Sequence, residues 1–383
     1  MKIVDIAEFF SERGGGVRSY LGELASEGSK RGHEITVIAP GPKDVDEAFN
    51  GGRLIRFAGP AMPYDPSYHL LYRVDRIKKA LRDIAPDVVQ ASSPYLPALV
   101  ARSADAPLRS FVYHSDQIAT YVRPVLEKIG SAAVTHSVMR AVNTWPRLLS
   151  RGFDLTVAPS AAIARTLEEA GCARVHCVKF GIRSDIFKPG RSNPETRKKM
   201  LGKFGDTKNA ALVVVACRLA VEKRVNQIID AIDLANRERP TALVVLGDGP
   251  ERAKLEEQAK KLPQVMFPGF LPRPEYADLL ASADVFVHGG AAETFGFVLG
   301  EAVISGIPLV VPDAGAAFDF VREDSEAYPA YGGPPAIAKA ILASLKKPRS
   351  GPNTGAHVRT TSEHFDELFA LYDRELSKKK NAA

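Results

Sequence analysis

The sequence predicts an α/β protein of two domains, each a parallel β-sheet with helices on both faces. Short runs rich in Val, Ile and Leu alternate with helical stretches along the whole chain. A length of 383 residues suits two ordinary domains, each able to bury its own core. A stretch dense in Pro, Gly and charge, Lys188 to Asp206, interrupts the pattern near the middle and reads as a domain boundary.

The first half opens with an apolar strand, Lys2-Ile3-Val4-Asp5-Ile6, then a loop, Ser11 to Gly16, containing Gly14-Gly15-Gly16. Val17, Leu21 and Leu24 share one face of a helix that stops at Gly32, and His33 to Ala39 is the second strand. Strand, glycine loop, helix and strand make a Rossmann-like opening. Further strands are expected near Leu54–Phe57, Asp87–Ala91, Arg109–Tyr113, Asp154–Val157 and Val175–Phe180. Helices are expected over Tyr72–Ile84 and much of Pro124–Ser150. Asp44-Val45-Asp46 has the look of a metal-binding pair, but it lies in a polar connection and is read as a solvated loop.

After the break, strands are expected near residues 212–216, 241–246, 264–267, 284–287, 308–311 and 326–331, with helices between them. Such alternation gives parallel sheets covered on both sides. A final helix, Thr361 to Lys378, carries Phe365, Leu368, Phe369, Tyr372 and Leu376 in one stripe, which has to pack against something.

The chain is 45% hydrophobic and 25% charged, with a net charge of +6, as expected of a soluble globular protein. No basic tail suggests nucleic acid, and the modest positive charge favours anionic partners such as nucleotide phosphates or acidic lipid headgroups. Three cysteines, Cys172, Cys177 and Cys217, form neither a disulfide framework nor a zinc pattern, and they suit a reducing compartment. The first residues enter a strand at once, without a leader-like apolar run, so a cytoplasmic protein is expected. Arg73, Arg76, Lys78, Lys79 and Arg82 read first as a solvated helix face, with anionic membrane at the inner leaflet as the alternative.

The richest stretch is Ala283 to Asp313. An apolar strand, Val285-Phe286-Val287, enters a small-residue turn, His288-Gly289-Gly290, followed by Glu293-Thr294-Phe295-Gly296. A short helix carrying Glu301 stops at Gly306, before the strand Leu309-Val310-Val311. Such a βαβ unit places backbone amides and a carboxylate where open parallel sheets bind ligands. Glu293 is expected in the loop and Glu301 two turns into the helix, reaching different parts of one phosphorylated, hydroxyl-rich ligand. A paired-carboxylate hydrolase is the rival reading and fits the loop less well.

Other strand ends carry matching chemistry. Arg218 and Lys223 follow the first strand of the second half and can converge on phosphates, though surface charge is the plain alternative. Gly247-Asp248-Gly249-Pro250 ends the next strand and would also serve as a simple turn. His114-Ser115-Asp116 ends a strand of the first half, where a histidine is as often structural as functional, and adjacency alone makes no catalytic triad. Gly15 and Gly16 free backbone amides, but Ser19 breaks the G-x-G-x-x-G nicotinamide fingerprint.

In order and spacing, Gly14-Gly15-Gly16-Val17-Arg18, His114, Ala158-Pro159-Ser160, Arg218 with Lys223, Gly247-Asp248-Gly249-Pro250-Glu251, and Glu293 with Glu301 resemble the retaining glycosyltransferases of family 4. The similarity covers nearly the whole chain. It implies a GT-B fold, two Rossmann-like domains with parallel sheets facing across a cleft. Residues 1–182 would bind the acceptor, 183–360 the nucleotide-diphosphate sugar, and the helix 361–383 would pack back on the first domain. By position, Glu293 would hold donor-sugar hydroxyls and Glu301 the ribose. Arg218 and Lys223 would hold the diphosphate, helped by amides around Phe295-Gly296 and Gly15-Gly16. Gly247, Asp248, Gly249, Thr294 and Leu299 would complete the donor site, Phe270-Leu271 would meet the base, and His114 would lie beside the sugar.

The family's chemistry is retaining and needs no metal or other cofactor. The resemblance leans toward mannosyl and glucosyl transfer onto a glycan or lipid-linked acceptor. One departure is His288-Gly289-Gly290-Ala291-Ala292, where many relatives have Ser and a basic residue before the first Glu, so sugar preference does not transfer. Two other readings remain: a non-hydrolysing nucleotide-sugar epimerase of similar fold, and a two-lobed sugar-binding protein without catalysis.

Overall fold

The computed structural model describes residues 1–11, 15–62, 65–114, 144–202, 210–291, 293–347 and 358–382. Gly14, Ser115-Asp116, Ala292 and most of the stretch Pro124–Ser150 lie outside the described residues. The chain divides into two units, Met1–Phe180 with Thr361–Ala383, and Gly181–Thr360.

The first unit has an eight-stranded sheet. In chain order its strands are β1 (Lys2–Ile6), β2 (Glu34–Gly41), β3 (Val45–Phe49), β4 (Gly52–Ala58), β7 (Val88–Ala91), β8 (Leu108–Val112), β9 (Leu155–Ala158) and β10 (Val175–Cys177). A separate hairpin pairs β5 (Ala61–Met62) with β6 (Asp65–His69). The spatial order is β10-β9-β8-β7-β1-β2-β4-β3, parallel except for the edge pair β3 and β4.

That edge corrects the reading of Asp44-Val45-Asp46 as a loop. Asn50 and Gly51 both take positive φ, 48° and 88°, and turn the chain into an antiparallel hairpin. Its outer strand is polar because it faces water, where Asp46 pairs with Arg53 at 2.6 Å and Asp44 with Arg76 at 2.6 Å. On the basic helix Val74–Ile84, Lys79 pairs with Asp83, and Arg73 just before it pairs with Asp75. Much of its positive charge is thus locally balanced. Among the described residues no helix is long and apolar enough to cross a membrane.

The final helix, Thr361–Ala382, buries Phe365, Leu368, Phe369, Tyr372 and Leu376 in the first unit, as its apolar stripe requires. Tyr372 brings a hydroxyl into that interior. It lies 2.6 Å from the amide oxygen of Gln90 and 3.0 Å from Ser110, tying the helix to β7 and β8.

The second unit has six parallel strands: β11 (Ala211–Ala216), β12 (Thr241–Leu246), β13 (Val265–Gly269), β14 (Val285–Val287), β15 (Leu309–Pro312) and β16 (Glu326–Tyr328). Their order is β13-β12-β11-β14-β15-β16. Every residue of β11, β12, β14 and β15 is buried, which explains their unbroken apolar runs. The break read from composition is not the boundary between the units. Lys188 to Gly202 belongs wholly to the second, where Arg191 pairs with Asp278 and Arg197 with Asp284. The charges that resembled a linker are the surface of the helix Pro194–Leu201, capped by Asn193.

Replacing Tyr372 with Phe leaves Gln90 and Ser110 without that buried partner. A loss of about 1–3 kcal/mol is expected, read as a lower urea midpoint.

Candidate active site

In the second sheet the chain runs outward from β11 through β12 to β13, and on the other side from β14 through β15 to β16. Connections on the two sides of such a reversal diverge and leave a crevice above the strand ends. The loops after β11 and β14 flank it. One carries Lys223, in the short turn Val221–Lys223, and the other carries Glu293.

The two side chains meet. Lys223 Nζ donates to Glu293 Oε2 at 2.7 Å. His288 Nε2 lies 3.2 Å from the same oxygen, and its ring is buried. Burial by itself pushes the Glu293 carboxyl up; the Lys223 ammonium and His288 ring outweigh it and hold Glu293 well below the usual carboxylate range. For Lys223, burial disfavours the charge, and Glu293 more than restores it, so its pKa is raised. The site therefore holds an ionised carboxylate against a charged amine. His288 had read only as part of a turn; no local pattern ties it to Glu293.

Glycines let the backbones approach. A Cβ on Gly289 would stand 2.3 Å from the Lys223 carbonyl oxygen, so the two loops touch main chain to main chain. On the other side, Gly315 has φ +65°, and Ala316 N–H donates to the Glu293 carbonyl at 3.0 Å. Sequence reading assigned neither Gly315 nor Ala316.

Gly296 takes φ +81° and delays the helix until Phe297. Glu301 therefore sits just over one turn into the helix Phe297–Ile304, not the two turns expected from spacing. Its carboxylate is buried and accepts a hydrogen bond from Tyr276 at 3.1 Å. Tyr276 comes from the helix Arg273–Ser282, too remote in sequence for spacing to pair it with Glu301. Thr294 and Phe295 are buried beside Gly296. The Leu299 side chain is fully buried, and its N–H donates to the Gly296 carbonyl at 2.9 Å, which secures the first helical turn.

Arg218 is half-buried two residues beyond β11. The loop after β12 is stitched to this one: Leu219 N–H donates to the Asp248 carbonyl and Glu251 N–H to the Leu219 carbonyl, each at 3.0 Å. A Cβ on Gly247 would meet the Cys217 carbonyl oxygen at 2.0 Å, and one on Gly249 that of Leu219 at 2.4 Å. These glycines bring strand-end loops together, and the Asp248 side chain accepts from Gly249 N–H at 2.8 Å. Phe270, just past β13, is 77% exposed, a large aromatic face in water at the strand ends, with Leu271 half-buried beside it.

In the first unit, Gly15 has φ +116° and precedes the helix Gly16–Lys30. His114 follows β8 and lies 3.0 Å from Ser92 Oγ, with the Tyr20 ring 4.5 Å away edge-on. Burial lowers its pKa to about 3, with His364 adding to the effect, so the ring is neutral at ordinary pH. Among the described residues no group of three or more His, Cys, Asp or Glu is placed to hold a metal ion.

The Glycosyltransferase Family 4 model matches residues 14–185, and the Glycosyl transferases group 1 model matches residues 196–359. The chain is also 31% identical over 330 residues to a GDP-mannose-dependent alpha-mannosyltransferase of Mycobacterium tuberculosis, spanning 84% of this chain and 81% of that protein. The chain belongs to glycosyltransferase family 4. A second M. tuberculosis relative, a GDP-mannose-dependent alpha-(1-6)-phosphatidylinositol dimannoside mannosyltransferase, is 28% identical over 374 residues, 96% of this chain and 92% of that one. Among solved structures, Anabaena HepE in complex with UDP and glucose aligns over the full length of both chains with a TM-score of 0.67 at 19% identity. This family 4 member is a glycosyltransferase of the GT-B fold that uses a nucleotide sugar.

The depressed Glu293 pKa predicts how the unit responds to acid. Its ion pair stabilises the fold fully above the ordinary carboxylate value of 4.5 and is lost as pH falls toward the folded value. Glu293→Gln should lower the urea midpoint at about pH 7, yet reduce the further drop between about pH 5 and pH 2. Denaturation curves at several pH values check both signs.

Proposed function

We propose that this family 4 enzyme transfers a mannosyl group from GDP-mannose, with retention and without a metal, to a glycan or lipid-linked acceptor. One observation carries the reading: an ionised, half-buried Glu293 is clamped to Lys223 at the reversal of the second sheet. Both named mycobacterial relatives are GDP-mannose-dependent, which favours that donor over UDP- or ADP-sugars.

Each group then has a task. Glu293 accepts hydrogen bonds from hydroxyls of the donor sugar. Lys223, Arg218 and the amides opening the helix Phe297–Ile304 stabilise the diphosphate as it gains charge. Arg218, the Lys223 ammonium partly offset by Glu293, and a helix terminus of roughly half a charge take the place of a divalent ion. Glu301, its rotamer fixed by Tyr276, accepts from the ribose, and the exposed Phe270 offers its face to the base. The acceptor hydroxyl bonds to the anomeric carbon on the face the diphosphate leaves. Its proton passes to the departing phosphate oxygen, so no protein base is required. His114 contacts a substrate hydroxyl.

Lys223→Ala should lower kcat by about 10²-fold or more, as loss of a charge-stabilising donor does. Near wild-type turnover in that variant would remove Lys223 from the mechanism. In a panel of GDP-, UDP- and ADP-sugars, GDP-mannose should give the largest thermal shift and support transfer undiminished by EDTA. Conversion of a donor sugar without any acceptor would instead indicate an epimerase.

A further inference from the structure

The first sheet has a reversal of its own, and a carboxyl with no task in the mechanism stands at it. The chain leaves β1 toward β2 and later returns to β7 on the other side of β1. The loops after β1 and β7 therefore flank the crevice above these strand ends. Glu8 lies two residues beyond β1, and Ser93 lies two residues beyond β7. The Glu8 N–H donates to the Ser93 hydroxyl at 3.0 Å, and Glu8 is only 6% exposed.

The Glu8 carboxyl is poorly provided for. The Leu71 N–H reaches its Oε1 at 3.5 Å, the outer limit of such a bond, and Oε2 has no hydrogen-bond partner among the described residues. No ion pair to it occurs among those residues; burial raises its pKa, and only the Leu71 bond opposes that. Glu293 and Glu301, by contrast, each accept from a side-chain donor at about hydrogen-bond length, 2.7 and 3.1 Å. A buried carboxyl left so bare costs the fold stability that a bound donor would return.

The surroundings suit a sugar ring. Phe9, the next residue, meets the rings of Tyr68 and Tyr95 edge-on at 6.1 and 6.0 Å. Tyr95 follows β7 and is 41% exposed. Aromatic faces for the C–H side of a ring, next to a carboxyl for its hydroxyls, fit a neutral sugar or polyol.

We propose that Glu8 is a binding residue for the acceptor, its carboxyl taking a hydrogen bond from a hydroxyl of a neutral sugar or polyol. That this ligand is the acceptor rests on the transferase reading; that it is a hydroxyl-bearing ring does not.

The test is isothermal titration of the full chain, with and without GDP. Methyl α-mannoside and myo-inositol serve as probes and separate a glycan from a polyol headgroup. Wild-type protein should bind at least one of them. Glu8→Met, similar in shape but without oxygens, should weaken that binding about tenfold or more. Glu8→Gln carries the comparison, at about fivefold or more, if Glu8→Met does not fold. Because the carboxyl serves a ligand and not the fold, Glu8→Gln should not lower the urea midpoint. Wild-type protein that binds neither probe, variants that bind as wild type does, or a lowered Glu8→Gln midpoint would each overturn the proposal. Absence of a thermal shift with every nucleotide sugar would sink the transferase reading instead, and leave the probe-binding comparison to decide Glu8.

Discussion

A parallel sheet that grows outward in two directions has one place where neighbouring strands send their connections apart. Above that place the backbone leaves a gap, and whatever lines it comes from the two strands on either side. In the second unit those strands are β11 and β14, which makes partners of two loops seventy residues apart at Lys223 and Glu293. The ion pair between them is a consequence of strand order. Its closeness depends on Gly289, because any side chain there would hold the main chains apart.

The first unit repeats the arrangement with different chemistry. Its reversal lies at β1, with β2 on one side and β7 on the other, and Asp5, Ser92 and His114 collect near it. One reversal gathers charge, with a carboxylate held ionised and an ammonium held protonated. The other gathers hydrogen-bonding groups, with burial keeping a histidine uncharged.

The sequence made much of this legible because parallel strands buried on both faces leave continuous apolar runs. Val285-Phe286-Val287 and Leu309-Val310-Val311 located the βαβ unit, and the polar residues just beyond such runs pointed to Lys223 and Glu293. Contacts made by folding alone were hidden. Tyr276 reaches Glu301, and His288 reaches Glu293, through tertiary packing that leaves no spacing to read. Two errors had a visible cause. The edge strand Val45–Phe49 is polar because water covers it, although Asn50-Gly51 announced the hairpin. The charged stretch after Lys188 resembled a linker because a surface helix and a linker share a composition.

The helix Thr361–Ala382 completes the first unit, yet the whole of the second unit separates it from Phe180 in the chain. A ribosome therefore finishes one lobe before the other has all its parts. Until this helix emerges, Gln90 and Ser110 lack the hydroxyl of Tyr372, and the aromatic stripe that packs into the first unit is not yet made. The polar interior of the first unit is therefore completed only after the whole of the second unit has been made.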